Sequence, residues 1–290
     1  MLMLRVGGVP EHYNLPWHLL KESGTLEDLG VDLEWRDYYG GTGQMANHLR
    51  TGELDIAVLL TEGMISDILK GSDARILKVF VKSSLEWGVH ISESEHTKLT
   101  NIEDPITFAI SKEGSGSHLM ALLYAQQNGI PVSNLKFEEV GSVDGAMEAF
   151  KNQTVDAFLW EKFTTEPYCE ANNLKRVDSI HTPWPCFVVA ARPKYYEKYH
   201  QQIEQVLEGV FTQATNLKEN PSAIKLITDR YNLSSESAEK WFEKVAWGQG
   251  ENLSDQEIEN VIDNLKESTD LLDDFSKTEM EFVLNGQVTP

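Results

Sequence analysis

Two stretches decide how this chain is read: "QMANHLRTGELDIAVLL" (44–60) and "GAMEAFKNQTVDAFLWE" (145–161) align without a gap when Asp55 is set on Asp156. Each carries a helical apolar spacing, then a polar turn, then a short apolar run of strand length. Each also ends in polar groups where a parallel strand delivers its carboxyl end: Thr61 and Glu62 after the first copy, Glu161 at the end of the second. In open α/β sheets that end is where ligands bind. The expectation is therefore two similar α/β lobes whose strand ends share one crevice.

Working outward, short strand-like runs alternate with helical patterns through the first two thirds: "LMLRVGG", "VDLEWRDY", "LDIAVLL", "ILKVFVKS", "ITFAIS", "KFEEV", "VDAFLW" and "CFVVAAR". Such alternation implies βαβ units and mostly parallel sheets. "SLEWGVH" lies near the transition between the two similar halves and reads as a connecting strand, with Trp87 either reaching the crevice or stiffening a hinge. From Pro193 onward the pattern is helical, with Pro221 expected in a first turn, Ser254 to Glu257 expected as a capping box, and "SDQEIENVIDNLKESTDLL" expected as the last helix. This part reads as scaffold.

The 290 residues carry a formal charge of −21, which opposes binding to a phosphate backbone and sets nucleic acid aside. Apolar content of 41% and charged content of 24% are those of a folded globular chain, and no apolar run reaches membrane-spanning length. With two cysteines, Cys169 and Cys186, no disulfide framework or cysteine-rich metal site can form. Eight histidines without paired ligand spacing give no metal site, and no cofactor is expected. As written, without a leader, the chain is expected to be a cytoplasmic monomer, or periplasmic if a leader has been removed.

Three loops follow strands and open helices. In "SKEGSGSHLM" (111–120), Ser115 or Ser117 caps a helix, and Ser115, Gly116, Ser117 and His118 offer groups to an anion at the helix start. The hydrolase elbow G-x-S-x-G does not fit there, so a serine nucleophile is disfavoured. In "YYGGTGQMANHL", Gly41, Thr42 and Gly43 offer a second set of N–H groups. The spacing from Gly41 to Ala46 with Glu62 farther on also imitates a dinucleotide fingerprint, although it follows the second strand. In "GGVPEHYNLPWHLL", His12, Asn14 and Trp17 join Glu11 and Tyr13 in a polar and aromatic mixture suited to a small molecule; the alternative has Trp17 packed inward. "AFLWEKFTTEPYC" contributes Trp160, Glu161 and Thr164, and burying Glu161 at the end of an apolar strand calls for solvent, a cleft or a cationic group.

With these residues assembled, the chain resembles the type II periplasmic-binding-protein-like superfamily, the substrate-binding components of ABC importers. It is most similar to the branch of thiamine-pyrimidine-precursor, nitrate, taurine and alkylsulfonate binding proteins. "GGTGQMANHLRTGELDIAVLLTEG", "GSGSHLMA", "DAFLWEKFTTEP" and "TPWPCFV" look like a subgroup found in fungi and bacteria without clear transport partners. The resemblance implies an α/β, two-lobed fold with mixed, mostly parallel sheets, flanking helices and a helical C-terminal segment. Lobe 1 would comprise 1–88 and 186–290, and lobe 2 would comprise 89–185. It implies hinge closure on a small polar or anionic ligand of pyrimidine, sulfonate or carboxylate type, without catalysis, with an ABC transporter as an open partner. Glu62 and Glu161 would receive hydrogen-bond donors, with Trp17 or Trp160 against the flat part. The chain lacks a lipidation cysteine and the cysteine-rich stretch of the fungal pyrimidine synthases. The alternatives are a thiamine-pathway-related or other enzyme moving protons with His12, His118 or Glu161, and a nicotinamide enzyme.

Overall fold

In the computed structural model, residues 1–92, 99 and 105–268 are described. The chain divides into unit 1, Met1–Ser84 with Trp184–Lys266, and unit 2, Leu85–Pro183. The first passage falls after Ser84 rather than after Gly88, because the strand that begins at Glu86 is hydrogen-bonded wholly within unit 2.

Unit 1 holds β1 (Leu2–Gly8), β2 (Val31–Asp37), β3 (Ile56–Leu60), β4 (Arg75–Val81) and β10 (Phe187–Ala191) in the order β2-β1-β3-β10-β4. Unit 2 holds β5 (Glu86–Ser92), β6 (Ile106–Ile110), β7 (Leu135–Glu139), β8 (Ala157–Glu161) and β9 (Leu174–His181) in the order β7-β6-β8-β5-β9. The orders superpose position for position. Three parallel strands are followed by one reversed strand, β10 in unit 1 and β5 in unit 2, each antiparallel to both neighbours. The sheets are thus mixed: four strands of five run one way, but half the pairings are antiparallel. The stretch expected as a connecting strand is β5, an interior strand of its sheet.

The repeated aspartate explains part of the repetition. Asp55, just before β3, receives the Arg5 N–H of β1 on Oδ2 at 3.0 Å and returns its own N–H to the Arg5 carbonyl at 3.0 Å. Asp156, just before β8, does the same to Thr107 of β6 at 2.7 and 2.8 Å. A short acceptor at this point satisfies an N–H of the neighbouring strand just before the two strands begin to pair and fixes the register between them.

Helices cover the sheets. α1 (Leu15–Glu22), α2 (Thr25–Asp28), α3 (Gly41–Thr51) and α4 (Thr61–Leu69) belong to unit 1; α5 (Gly116–Gln127), α6 (Val143–Lys151) and α7 (Glu166–Asn172) belong to unit 2. α5 is buried from Gly116 to Ala125, as an all-round apolar helix must be. The C-terminal part forms α8 (Pro193–Glu219), α9 (Ala223–Tyr231), α10 (Ser235–Lys244) and α11 (Asp255–Ser268). Ile203, Val206, Leu207, Val210, Phe211, Ala214 and Leu217 make one buried stripe along α8, and Gly209 admits Leu20 of α1, which a Cβ would meet at 2.9 Å. Ser254 and Glu257 form the expected capping box, the Ser254 N–H on Glu257 Oε2 at 2.8 Å and the Glu257 N–H on Ser254 Oγ at 3.3 Å. Pro221, expected in a first turn, precedes the Ser222 that opens α9, and residues 269–272 of the expected last helix lie outside the described residues. Among the described residues no helix is long and apolar enough to cross a membrane.

Candidate functional site

Each unit presents candidate site residues at the carboxyl end of its third parallel strand. In unit 1, β3 runs straight into α4. Thr61 is anchored to the other arm of the unit: its N–H donates to the Cys186 carbonyl at 3.1 Å and its hydroxyl to the Pro185 carbonyl. Glu62, 1% exposed, receives the Trp184 indole N–H on Oε2 at 2.8 Å, while its Oε1 has no hydrogen-bond partner among the described residues. Burial raises its pKa to about 7, against the opposing pull of its own backbone N–H and of Trp184.

α3 begins beside this point. The Thr42 hydroxyl accepts the Leu60 N–H at 3.1 Å, and a Cβ on Gly63 would lie 2.4 Å from the Thr42 methyl, so glycine at 63 lets the starts of α3 and α4 meet. Gly41 has φ +64, and neither Gly41 nor Gly43 has an atom near its missing Cβ. The first-turn N–H groups there precede the helix's own hydrogen-bond ladder.

The other unit 1 candidates go elsewhere. Trp17 has no exposed surface and lies near Trp35 and Phe80, at ring distances of 6.1 and 6.3 Å; it is the inward-packed alternative, not a ligand wall. His12 stacks on Tyr13 and sets its edge against Trp241 at 4.2 Å, within the layer formed by α9 and α10. Complete burial lowers its pKa to about 3, so it is neutral at ordinary pH. Asn14 donates to the Val9 carbonyl at 2.8 Å and leaves Oδ1 unpartnered.

In unit 2, Ser115 is the N-cap of α5, its Oγ accepting the His118 N–H. Ser117 accepts the Ser111 N–H at 2.9 Å and is 2% exposed, so its hydroxyl is committed to closing the loop. His118 accepts the Gly114 N–H on Nδ1 at 3.0 Å, which places its proton on Nε2, and its ring meets Phe137 edge-on at 4.4 Å. Gly116 and Ser117 supply the first-turn N–H groups.

Glu161 ends β8. Its Oε2 accepts the N–H groups of Phe163 at 3.1 Å and Thr164 at 2.7 Å, Oε1 has no hydrogen-bond partner among the described residues, and the residue is 2% exposed. Burial raises this carboxyl to about 7 as well, opposed by the Thr164 N–H and hydroxyl and by the Phe163 N–H. Trp160, half-buried, stacks on Phe158 at 5.6 Å and meets Trp87 at 6.5 Å.

Sequence reasoning missed what holds this loop. The Thr165 hydroxyl joins His90 Nε2 at 3.1 Å and also reaches the Glu161 and Lys162 carbonyls, while His90 Nδ1 faces the Phe158 carbonyl at 3.3 Å. Lys162 pairs with Glu86. The missed signal is a histidine inside the apolar run "EWGVHIS": a buried polar group in a strand needs a partner.

Residues 87–180 match the family model described as Ca3427-like PBP. No curated protein sequence matches the chain. Among solved structures, the Candida albicans CA3427 gene product, described as defining a new family with the generic periplasmic binding protein fold, is 27% identical over 100% of this chain and 96% of its own, with a TM-score of 0.89. The chain has the type II periplasmic-binding-protein-like fold. Two further structures share this fold at lower identity. The alkanesulfonate-binding protein SsuA of Xanthomonas axonopodis pv. citri, bound to MOPS, is 14% identical over 92% of each chain with a TM-score of 0.76. PhnD1 of Prochlorococcus marinus, in complex with methylphosphonate, is 15% identical over 91% of this chain and 97% of its own, with a TM-score of 0.60. The resemblance drawn from the sequence holds at the level of this superfamily fold. His12 and His118 are each packed against aromatic rings of their own unit.

Proposed function

We propose that the protein is a solute-binding protein that holds one small polar organic ligand by hinge closure of its two units. The observation that carries this reading is the pair of buried carboxyls. Glu62 and Glu161 sit at the ends of corresponding strands, each with one oxygen fixed by protein donors and the other without a partner among the described residues. A buried polar atom without a partner costs about 1–3 kcal/mol, so a ligand N–H or O–H that reaches it gains that amount in return. The helix starts at Gly41–Gly43 and at Ser115–Ser117 would receive an anionic or carbonyl group of the same ligand. Trp160 offers the flat wall. The sulfonate and phosphonate held by SsuA and PhnD1 support the anionic part of this class; the carboxyls add a donor to it, as in an aminopyrimidine or a zwitterionic acid.

A thermal-shift screen of pyrimidines, sulfonates, carboxylates and phosphates tests the reading. A ligand at 100-fold excess over Kd stabilises the native state by about 2.7 kcal/mol, enough for a clear rise in Tm. Glu161→Gln and Glu62→Gln are expected to weaken the best hit, because an amide cannot reproduce both oxygens. A flat response across the library, or hits indifferent to both substitutions, would overturn it.

A further inference from the structure

Unit 1 has a concavity at the opposite end of β3 from Glu62. It is a cavity of about 700 Å³ bounded by Met3 and Arg5 of β1, by Asp55, and by Tyr195, Tyr199 and Gln202 of α8. That volume is within the range of small-molecule sites. Three independent features converge on it. First, α8 departs from helical geometry at a single residue, Tyr199 (φ −124, ψ 23), and that residue is part of the wall. Second, of the four exposed large apolar residues among the described residues, two, Met1 and Met3, border this cavity, although surfaces normally keep such side chains scattered. Third, Asp55 is shared by two guanidiniums, those of Arg5 and Arg192, which leaves a surplus positive charge in a chain whose net charge is −21. Arg5 spends Nε and Nη2 on Asp55, and its Nη1 makes no hydrogen bond among the described residues.

We propose that this cavity is a second small-molecule site, for a planar aromatic compound that carries an anionic group. The ring packs among the rings of Tyr195 and Tyr199, whose centroids are 4.8 Å apart at an angle of 55°, and the thioethers of Met1 and Met3. The anion is drawn to Arg5 Nη1 in the planar, forked geometry that a guanidinium offers. Lys198, with Nζ 4.8 Å from the Tyr199 ring centroid, adds to the same field. An isolated anion is a poor occupant, since Arg5 is already half satisfied by Asp55. A neutral apolar ring would leave the surplus charge unanswered. The site stands at the other end of β3 from Glu62 and does not depend on the proposal above.

The test uses the full chain and 8-anilinonaphthalene-1-sulfonate as a fluorescent probe, displaced by 1-naphthoate or by its neutral counterpart 1-naphthylmethanol. Saturable binding is expected at one site. Met3→Ser and Tyr199→Ala, each checked for folding by circular dichroism, should raise Kd by about tenfold, the loss expected for one aromatic or sulfur contact and its packing. Val132→Ser, which removes an exposed apolar side chain from unit 2, should leave Kd unchanged. 1-Naphthoate should displace the probe at about a tenfold lower concentration than 1-naphthylmethanol, the worth of one charge-assisted hydrogen bond. No saturable binding, Kd values indifferent to both substitutions in the cavity, or equal displacement by the acid and the alcohol would each overturn the proposal. Met3 lies at the surface, so its substitution keeps the test valid even if Tyr199→Ala perturbs α8.

Discussion

The two units share a strand order and an aspartate, yet they use them under different loads. Asp156 is half-buried and serves the Thr107 N–H alone. Asp55 is fully buried and carries, besides the Arg5 N–H, both the Arg5 and Arg192 guanidiniums, which tie β1 and the end of β10 to the start of β3. The carboxyls at the strand ends differ in the reverse manner. In the gap-free alignment Glu161 falls opposite Leu60 and Glu62 opposite Phe163, so the repeat does not equate them. They nevertheless reach one chemistry: buried, raised to about 7, one oxygen held and one free of partners. Repetition therefore dictates the scaffold, and the site is built on it separately in each unit.

The aspartates offer the sharpest way to break this comparison. Asp55→Ala strands two guanidiniums beside a buried site and is expected to destabilise by about 3–5 kcal/mol, as removal of one member of a buried ionic cluster does. Asp156→Ala removes hydrogen bonding at a half-buried position and should cost about 1–2 kcal/mol. Urea denaturation measures both. Equal losses would mean that the two aspartates do the same work and that the arginines add nothing.

The carboxyls predict a pH dependence that the two units should share. A folded pKa near 7 against an ordinary value of 4.5 means that the folded state holds the proton over that window while the unfolded state has released it. Stability is thus greatest below about 4.5, falls as pH rises toward 7, and levels off above it. The full loss is about 3 kcal/mol for each carboxyl, from about 1.4 kcal/mol per pH unit. Glu62→Gln and Glu161→Gln should each remove one share of that slope in denaturant melts between pH 4.5 and 7.5. A slope unchanged in both variants would show that burial does not govern these groups.

The scaffold was legible because periodicity and turn chemistry are local. The helix-turn-strand pairs and the Ser254 capping box depend on neighbours in sequence. The reversal of β5 and β10 was not, because a buried strand looks alike in either direction and its sense is set by the crossover. The same limit applies to the candidate site residues. Polar residues at the ends of β3 and β8 could be read directly, but their partners could not: Trp184 reaches Glu62 across 122 positions and His90 reaches Thr165 across 75. Trp17 shows the converse, since its inward packing depends on Trp35 and Phe80 from strands that sequence alone does not place beside it.

The smallest expected effect lies at the helix preceding each repeated strand. α6 starts with Ser142, whose Oγ accepts the Gly145 N–H at 3.2 Å, whereas α3 starts with Gly40, which provides no side-chain cap. Ser142→Ala should therefore cost about 1 kcal/mol, the usual worth of an N-cap. Gly40→Ser is the complementary change. Gly40 has φ −81, which any residue tolerates, and the atom nearest a new Cβ is the carboxamide oxygen of Gln44, at the far end of a flexible side chain. A serine there would displace Gln44 from its bond to the Gly40 N–H and offer a cap in exchange, so the net change should stay within about 0.5 kcal/mol. If Gly40→Ser instead matched Ser142→Ala in size, the bareness of the Gly41–Gly43 helix start would be a structural requirement. If it stays near zero in stability but weakens the ligand found by the thermal screen, the bare start serves binding, and the two units differ at this point because only one of their repeated helices meets the ligand.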